Sequence, residues 1–248
     1  MRLNRFLARA GFGSRRSVET LITAGKVAVD GKKVTDLGRR VDPARDTVTV
    51  EGAPVKLPED FRIYAFHKPA GVVSTLAAQG GQASLLPFRL GADIPDRFMP
   101  VGRLDSETTG LLLWTDDGSL NQDLCRPGTG LWKTYLVELN EPLPPSAVPK
   151  LTGGTLELDG RPVRPCRLRM DMEQTNRHWV MEVHEGRRRQ IRRMFNAVGF
   201  KVLRLHRTAI GPVALGKLRP GDFRRLNPRE VETLRQAVAA GVRNGPRR

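Results

Sequence analysis

Leu111-Leu112-Leu113-Trp114, set between Gly110 and Thr115, is the segment that most limits how this chain can fold. Bounded by turn-prone residues, the run reads as a buried apolar strand, and such a strand needs a sheet around it and further elements to cover it. Directly before it lies a polar stretch, Val101-Gly102-Arg103-Leu104-Asp105-Ser106-Glu107-Thr108-Thr109. Polar loops on rigid scaffolds are frequent sites of chemistry. Asp105, flanked by Arg103 and followed by two threonines and a glycine, is the first candidate. From the residues alone it is either a functional carboxylate or an Asx-turn residue that holds the loop.

The segments around this strand divide the chain. Residues 1–58 are expected to form a small αβ domain. Leu3, Phe6, Leu7 and Ala10 fall on one helix face, and Gly11 and Gly13 stop that helix. Ser14 stands where an N-cap belongs, and Val18, Leu21 and Ile22 make a second apolar stripe that ends at Gly25. Two β-prone runs then flank Asp30-Gly31, and a strand over Thr47–Val50 leads to Glu51-Gly52. Residues 55–60 read as a linker.

Residues 61–240 carry β-prone segments at Arg62–Phe66, Gly110–Thr115, Lys133–Leu139, Trp179–Val183 and Lys201–Leu205. Helices are expected over Asp117–Leu124 and Arg188–Val198. A third opens at Asn227-Pro228-Arg229-Glu230 with cap, proline and glutamate in their preferred places. Few helices around many strands describe an α+β fold with a mixed, mainly antiparallel sheet. The Pro-rich stretch Glu141–Pro145 is read as an internal loop joining two halves of that sheet, and residues 241–248 as a basic, disordered tail.

Charge narrows the function classes. The chain has 42 Lys and Arg against 26 Asp and Glu, a net +16, and a pI near 11.0. Residues 1–57 alone hold 12 basic and 6 acidic side chains. An excess of this size points to a polyanionic partner. Arg15 and Arg16 sit at a helix start, where the dipole disfavours cations, so a phosphate there would relieve the conflict. Cys125 and Cys166 form no CxxC pair, and His67, His178, His184 and His206 lack ligand spacing, so neither metal nor disulfide is expected. The start MRLNRFLARAGFG lacks the apolar run of a signal peptide, and no stretch approaches the ~20 apolar residues of a membrane span. A cytoplasmic monomer without membrane contact is the expectation.

Two further segments carry candidate chemistry. Glu185-Gly186-Arg187-Arg188-Arg189-Gln190-Ile191-Arg192-Arg193-Met194 packs five arginines into seven positions at a helix start. Arg187 and Arg188 fit a solvated basic face. Arg192 lies beside the apolar positions Ile191, Phe195 and Val198, where an arginine usually has a carboxylate partner, and Asp105 is a candidate. Lys133-Thr134-Tyr135-Leu136-Val137 alternates as a strand, and Tyr135 either stacks on a nucleobase or packs in the core.

Residues 1–50 resemble the small RNA-binding domain shared by a small-subunit ribosomal protein and tyrosyl-tRNA synthetases. Nearly the whole chain resembles the ribosomal-RNA pseudouridine synthases of the small-subunit and large-subunit type. The resemblance rests on His67-Lys68-Pro69-Ala70-Gly71, GRLD-x-x-T-x-GLLL-x-T-x-DG at 102–118, KTYLV at 133–137 and EGRRRQIRRM at 185–194. It implies Asp105 as the catalytic carboxylate, Arg192 as its ion-pair partner, Tyr135 against the target base, Ile191 as a pocket wall and Arg103 near the flipped nucleotide. RNA contacts are expected from Arg2, Arg5, Arg15, Arg16, Lys26, Arg187 and Arg189. No cofactor and no metal are implied. The expected partner is ribosomal RNA or a ribosomal assembly intermediate, with large-subunit RNA favoured over small-subunit RNA. Two other classes stay open: a non-catalytic ribosome-assembly factor, and a glycosidic hydrolase pairing Asp105 with Glu107.

Overall fold

The computed structural model describes residues 1–57, 61–77, 80–126, 129–171 and 174–244. The chain divides into two compact units. One is Met1–Arg62 with Ile94–Met99 and Thr115–Gly118, and the other is Ile63–Asp93, Pro100–Trp114 and Ser119–Arg248. Two short downstream segments thus group with the N-terminal residues, which a boundary at 58–61 does not anticipate.

In the first unit, α1 (Leu3–Arg9) and α2 (Arg15–Thr23) precede the strands β1 (Val27–Val29), β2 (Lys32–Val34), β3 (Val48–Val50) and β4 (Ala53–Pro54), paired in the order β2-β1-β3-β4. Ser14 caps α2 by accepting from the Ser17 amide at 3.1 Å, satisfying one of the amides that a helix start leaves free. Leu3, Phe6 and Leu7 of α1 and Val18 and Ile22 of α2 pack with Val27, Val29, Val48 and Val50. Each such side chain contributes about 1.5–3 kcal/mol when fully buried. Asn4 ties the helices together by donating to Glu19 at 2.7 Å.

Beyond Arg62 the chain forms β5 (Ile63–Lys68), α3 (Leu86–Gly91), β6 (Met99–Pro100), β7 (Thr109–Thr115), α4 (Gly118–Cys125) and β8 (Lys133–Leu139). A 3₁₀ turn at Pro145–Ala147 then leads into α5 (Val148–Thr152), and β9 (Glu157–Leu158) pairs with β10 (Arg161–Pro162). The remainder is β11 (Arg167–Met170), β12 (His178–Val183), α6 (Gln190–Ala197), β13 (Val202–Ile210), β14 (Val213–Ala214), β15 (Phe223–Arg225) and α7 (Pro228–Asn244). The main sheet runs β11-β12-β8-β13-β7-β5-β15. Most of its pairings are antiparallel, and β13 with β7 is parallel.

Strand β7 lies inside this sheet, with Leu111, Leu112, Leu113 and Trp114 all fully buried. Leu111 and Leu113 join Ile63 and Ala65 of β5, Leu120 and Leu124 of α4, and Leu234 and Val238 of α7. Trp114 lies edge-on to Phe66 and Phe223, whose rings stack at 4.4 Å, and Phe66 also meets Phe88 of α3. A continuous apolar run is what a strand covered on both faces requires.

Several elements depart from the sequence reading. The Pro-rich stretch enters the 3₁₀ turn and α5, β13 continues to Ile210, and Phe223–Arg225, outside the expected strands, forms β15. Helix α7 continues through Gly241 to Asn244, where a disordered tail was expected. Its cap is reciprocal: Glu230 N–H donates to Asn227 Oδ1 and Asn227 N–H to Glu230 Oε2, both at 2.9 Å. Gly241 is held because the helix presses on the main chain of Thr129, and a Cβ there would meet the Thr129 carbonyl at 1.6 Å. Residues 58–60 of the expected linker and 245–248 of the expected tail lie outside the described residues.

Gly110 is the corresponding close approach inside the sheet. Its φ is +105°, and a Cβ would stand 2.2 Å from the Arg207 carbonyl of β13. Gly110→Ala is expected to cost about 3 kcal/mol or more and to lower the melting temperature by ~10 °C. Gly216→Ala, with φ +62° and open space around it, is expected to cost about 1 kcal/mol. Parallel thermal melts check both. Equal losses would show that backbone strain alone, not the β7–β13 approach, holds Gly110.

Candidate active site

The loop before β7 is clamped from the segment that follows β5. Ser74 Oγ donates to the Leu104 carbonyl at 2.7 Å and accepts from the Leu104 amide at 3.0 Å. The Gly71 amide donates to the Ser106 carbonyl at 2.9 Å. Lys68 is 0 % exposed. Its Nζ donates to the carbonyls of Pro69 at 2.8 Å, Ser106 at 3.1 Å and Thr108 at 2.9 Å. All three ammonium hydrogens are therefore committed to the backbone, which is how a buried lysine is tolerated. Burial lowers its pKa to about 8, opposed by the charge of Asp105. Lys68 was not among the residues chosen from the sequence. Its signal was the His-Lys-Pro-Ala-Gly string, read there only as a mark of resemblance.

Asp105 sits on this held loop, half-buried. Its turn is closed by the main chain, the Thr108 amide donating to the Asp105 carbonyl at 3.0 Å. No hydrogen bond to its carboxylate is found among the described residues, so the side chain is not what makes the turn. That is the geometry of a presented carboxylate rather than an Asx-turn residue.

Tyr135 is buried in β8 and lies across from Arg207 of β13. Arg207, 4 % exposed, donates from Nε to the Leu111 carbonyl at 2.7 Å and from Nη1 to the Tyr135 hydroxyl at 3.3 Å. Its Nη2 is buried and has no hydrogen-bond partner among the described residues. Arg207 had no warning in the sequence, because an arginine in a strand normally reads as solvent-facing. Lys133, at the start of β8, has its pKa lowered to about 8 by burial and then by the Arg207 charge. The Tyr135 side of the sheet is thus rich in partly desolvated cations.

The arginine-rich segment divides by the partners its side chains find. Arg187, expected to contact RNA, is used inside the protein: its guanidinium donates to the carbonyls of Leu158, Arg161 and Pro162 and pins the β9–β10 hairpin. Gln190, 5 % exposed, closes the loop by donating to Glu185 at 2.6 Å and accepting from the Arg187 amide at 3.0 Å. Arg193 is bidentate with Asp159 at 2.9 and 2.8 Å. Ile191 is buried on α6.

Arg192 donates to the Val202 carbonyl at 2.7 Å, and its ion-pair contact is Glu107 at 3.7 Å. The direct pair with Asp105 expected from the resemblance is not formed. Burial lowers the Arg192 pKa, opposed first by Glu107 and less by Asp105, so Asp105 acts on it through space. Arg189 takes the left-handed conformation at the helix start (φ +51°) and reaches Glu107 at 3.5 Å. Arg103 is exposed.

In the N-terminal unit Arg2, Arg15 and Arg16 are exposed and Arg5 is half-buried. The first turn of α2 holds no acidic residue to balance Arg15 and Arg16. Lys26 is paired with Glu51 at 2.7 Å, so its charge is already met. Among the described residues no group of His, Cys, Asp and Glu is arranged to hold a metal ion, and no helix is long and apolar enough to cross a membrane.

Folding lowers the Lys68 pKa, so between about 8 and about 10.5 the unfolded chain holds the extra proton and this group adds stability as pH rises. Wild type is expected to gain stability over Lys68→Met across that window, by ~3 kcal/mol at most. Denaturant melts of both proteins at pH 7, 8.5 and 10 check this. A gap that narrows with pH would show that Lys68 gains from its charge in the folded state.

Comparison with known proteins places this geometry. The RNA pseudouridylate synthase family matches residues 62–197, and the S4 domain family matches residues 1–48. An RNA pseudouridine synthase of Aquifex aeolicus is 38% identical over 250 residues, spanning 100% of this chain and 98% of its own length. The ribosomal large subunit pseudouridine synthase B of Bacillus subtilis is also 38% identical, spanning 97% of this chain and 98% of its own. A crystal structure of a pseudouridylate synthase superposes with a TM-score of 0.67 at 29% identity, covering 94% of this chain and 99% of its own. With the carboxylate loop, the sheet and both family matches in agreement, the chain belongs to the RNA pseudouridylate synthase family and begins with an S4 domain.

Proposed function

We propose that this protein converts a uridine of ribosomal RNA, with large-subunit RNA favoured, to pseudouridine, using Asp105 as the catalytic carboxylate. The observation that carries the reading is the Asp105 side chain, which among the described residues makes no hydrogen bond, on a loop whose backbone is bound at Leu104, Ser106 and Thr108. A group held at its base and unengaged at its tip is preorganised for substrate. The large-subunit choice is supported by similarity to the proteins of that name from Bacillus subtilis and Pseudomonas aeruginosa.

The reaction is an isomerisation. The bond from N1 to the ribose C1′ breaks, the base turns, and C5 bonds to C1′ while its proton is lost and N1 gains one. No oxidant, reductant or second substrate enters the balance. The target base must leave its stack, at a cost of a few kcal/mol, and Tyr135 with the wall at Ile191 would receive it. Asp105 acts as the carboxylate, whether it attacks C1′ or removes the C2′ proton, and it lies close enough to Lys68 and Arg192 to act on both cations. The exposed cations Arg2, Arg15, Arg16 and Arg103 supply backbone contacts, each expected to weaken with salt.

Asp105→Asn is expected to cut tritium release from C5-labelled ribosomal RNA below roughly a hundredth of wild type while RNA binding stays within about twofold. Higher residual turnover sinks the Asp105 assignment, and free uracil as product sinks the isomerase reading. Pseudouridine mapping in a strain lacking the gene is expected to show a modification missing from large-subunit RNA. A loss confined to small-subunit RNA would reverse the target.

A further inference from the structure

A groove of about 490 Å³ opens beside the catalytic loop, between Glu107 and the α6–β13 connection. Arg189, Arg192 and Lys201 line it with Glu107, and Phe200 and Leu203 give it an apolar side. Leu203 is 46 % exposed. The Lys201 main chain is fixed to Asn140 by hydrogen bonds of 2.7 and 3.0 Å, which leaves the side chain as the variable part.

The polar groups of the groove are incompletely matched. Glu107 lies 3.5 Å from Arg189 and 3.7 Å from Arg192, and its side chain is 60 % exposed. Charge-assisted pairs that are fully made are nearer 2.7–2.9 Å, so this carboxylate is loosely held. Nε and Nη2 of Arg192 are both buried and find no hydrogen-bond partner among the described residues. Buried guanidinium donors cost stability when unmet, so the site favours a stronger acceptor than the one it has. Cations beside an apolar wall suit a phosphodiester with its neighbouring base.

We propose that this groove seats the nucleotide next to the target uridine, and that Glu107 occupies the place of that nucleotide's phosphate in the free protein. The inference rests on the reading of this protein as an RNA-modifying enzyme. Glu107 follows Asp105 by two positions in the turn closed from Thr108 to Asp105, so the groove opens beside the loop that carries the catalytic carboxylate. The carboxylate keeps the arginines oriented before RNA arrives and competes with RNA for them. Exchange of one anion for another leaves the guanidinium groups in place.

The test uses the full chain, a short fluorescein-labelled oligouridylate and anisotropy titrations across a range of salt. Lys201→Ala is expected to weaken binding about threefold to tenfold and to reduce the salt slope by ~0.7, one phosphate contact on a single strand. Glu107→Gln is expected to tighten binding about threefold, because a competing anion is removed while the side chain keeps its size. Unchanged affinity and slope in Lys201→Ala, or weaker binding in Glu107→Gln, would overturn the proposal. Tritium release by the wild type tests the underlying reading separately. Turnover without these shifts sinks the groove alone, whereas the shifts without turnover sink the reaction and keep the RNA seat.

Discussion

The buried ammonium of Lys68 is the contact on which the site depends. It draws the carbonyls of Pro69, Ser106 and Thr108 onto one point and so joins the end of β5 to the loop that carries Asp105. A loop of this polarity would otherwise satisfy its backbone with water and sample many conformations. One desolvated cation replaces that water and holds the backbone that carries the Asp105 carboxylate. The same burial that makes the lysine costly makes its three hydrogen bonds strong.

The sheet sets where this clamp can be. Strand β7 must be apolar throughout because it is covered on both faces, and the loop before it must be polar because it emerges from that cover. Parallel pairing with β13 demands a glycine at 110, and the residue that presses on it, Arg207, turns its guanidinium back to Leu111 and Tyr135. A single cross-strand contact therefore settles the register of β7 and the placement of the tyrosine. The cation left on that side, with Nη2 unmet, makes the region around Tyr135 receptive to anions and carbonyl oxygens.

The arginine-rich segment separates charge from availability. Arg187 and Arg193 spend their guanidinium groups on the hairpin at 157–162 and on Asp159, and Gln190 locks the loop onto Glu185. Arg189 and Arg192 remain at the edge of the groove with one loosely held carboxylate between them. A run of like charges in sequence thus becomes a scaffold that leaves two of its arginines at the groove. Counting basic residues identifies the polyanionic partner but not the residues that meet it.

Local signals determined much of this protein. The β7 run, the Asp30-Gly31 hairpin, the Ser14 cap and the Asn227–Glu230 cap each depend on a few neighbouring residues, so they were legible from those residues. The carboxylate loop was legible as a polar stretch entering a buried strand, and its motif carried the family. Tertiary structure alone decided the rest. Lys68 meets Ser106 and Thr108 across some forty positions, Arg207 meets Tyr135 across 72, and Arg192 finds Glu107 where Asp105 was expected. Those partners are chosen by which strands lie side by side, and no local pattern encodes that. Gly241 makes the same point: its helix continues because Thr129 packs against it, although glycine by itself favours an end. Sequence determined which residues could do chemistry, and the sheet's pairing order decided which of them meet.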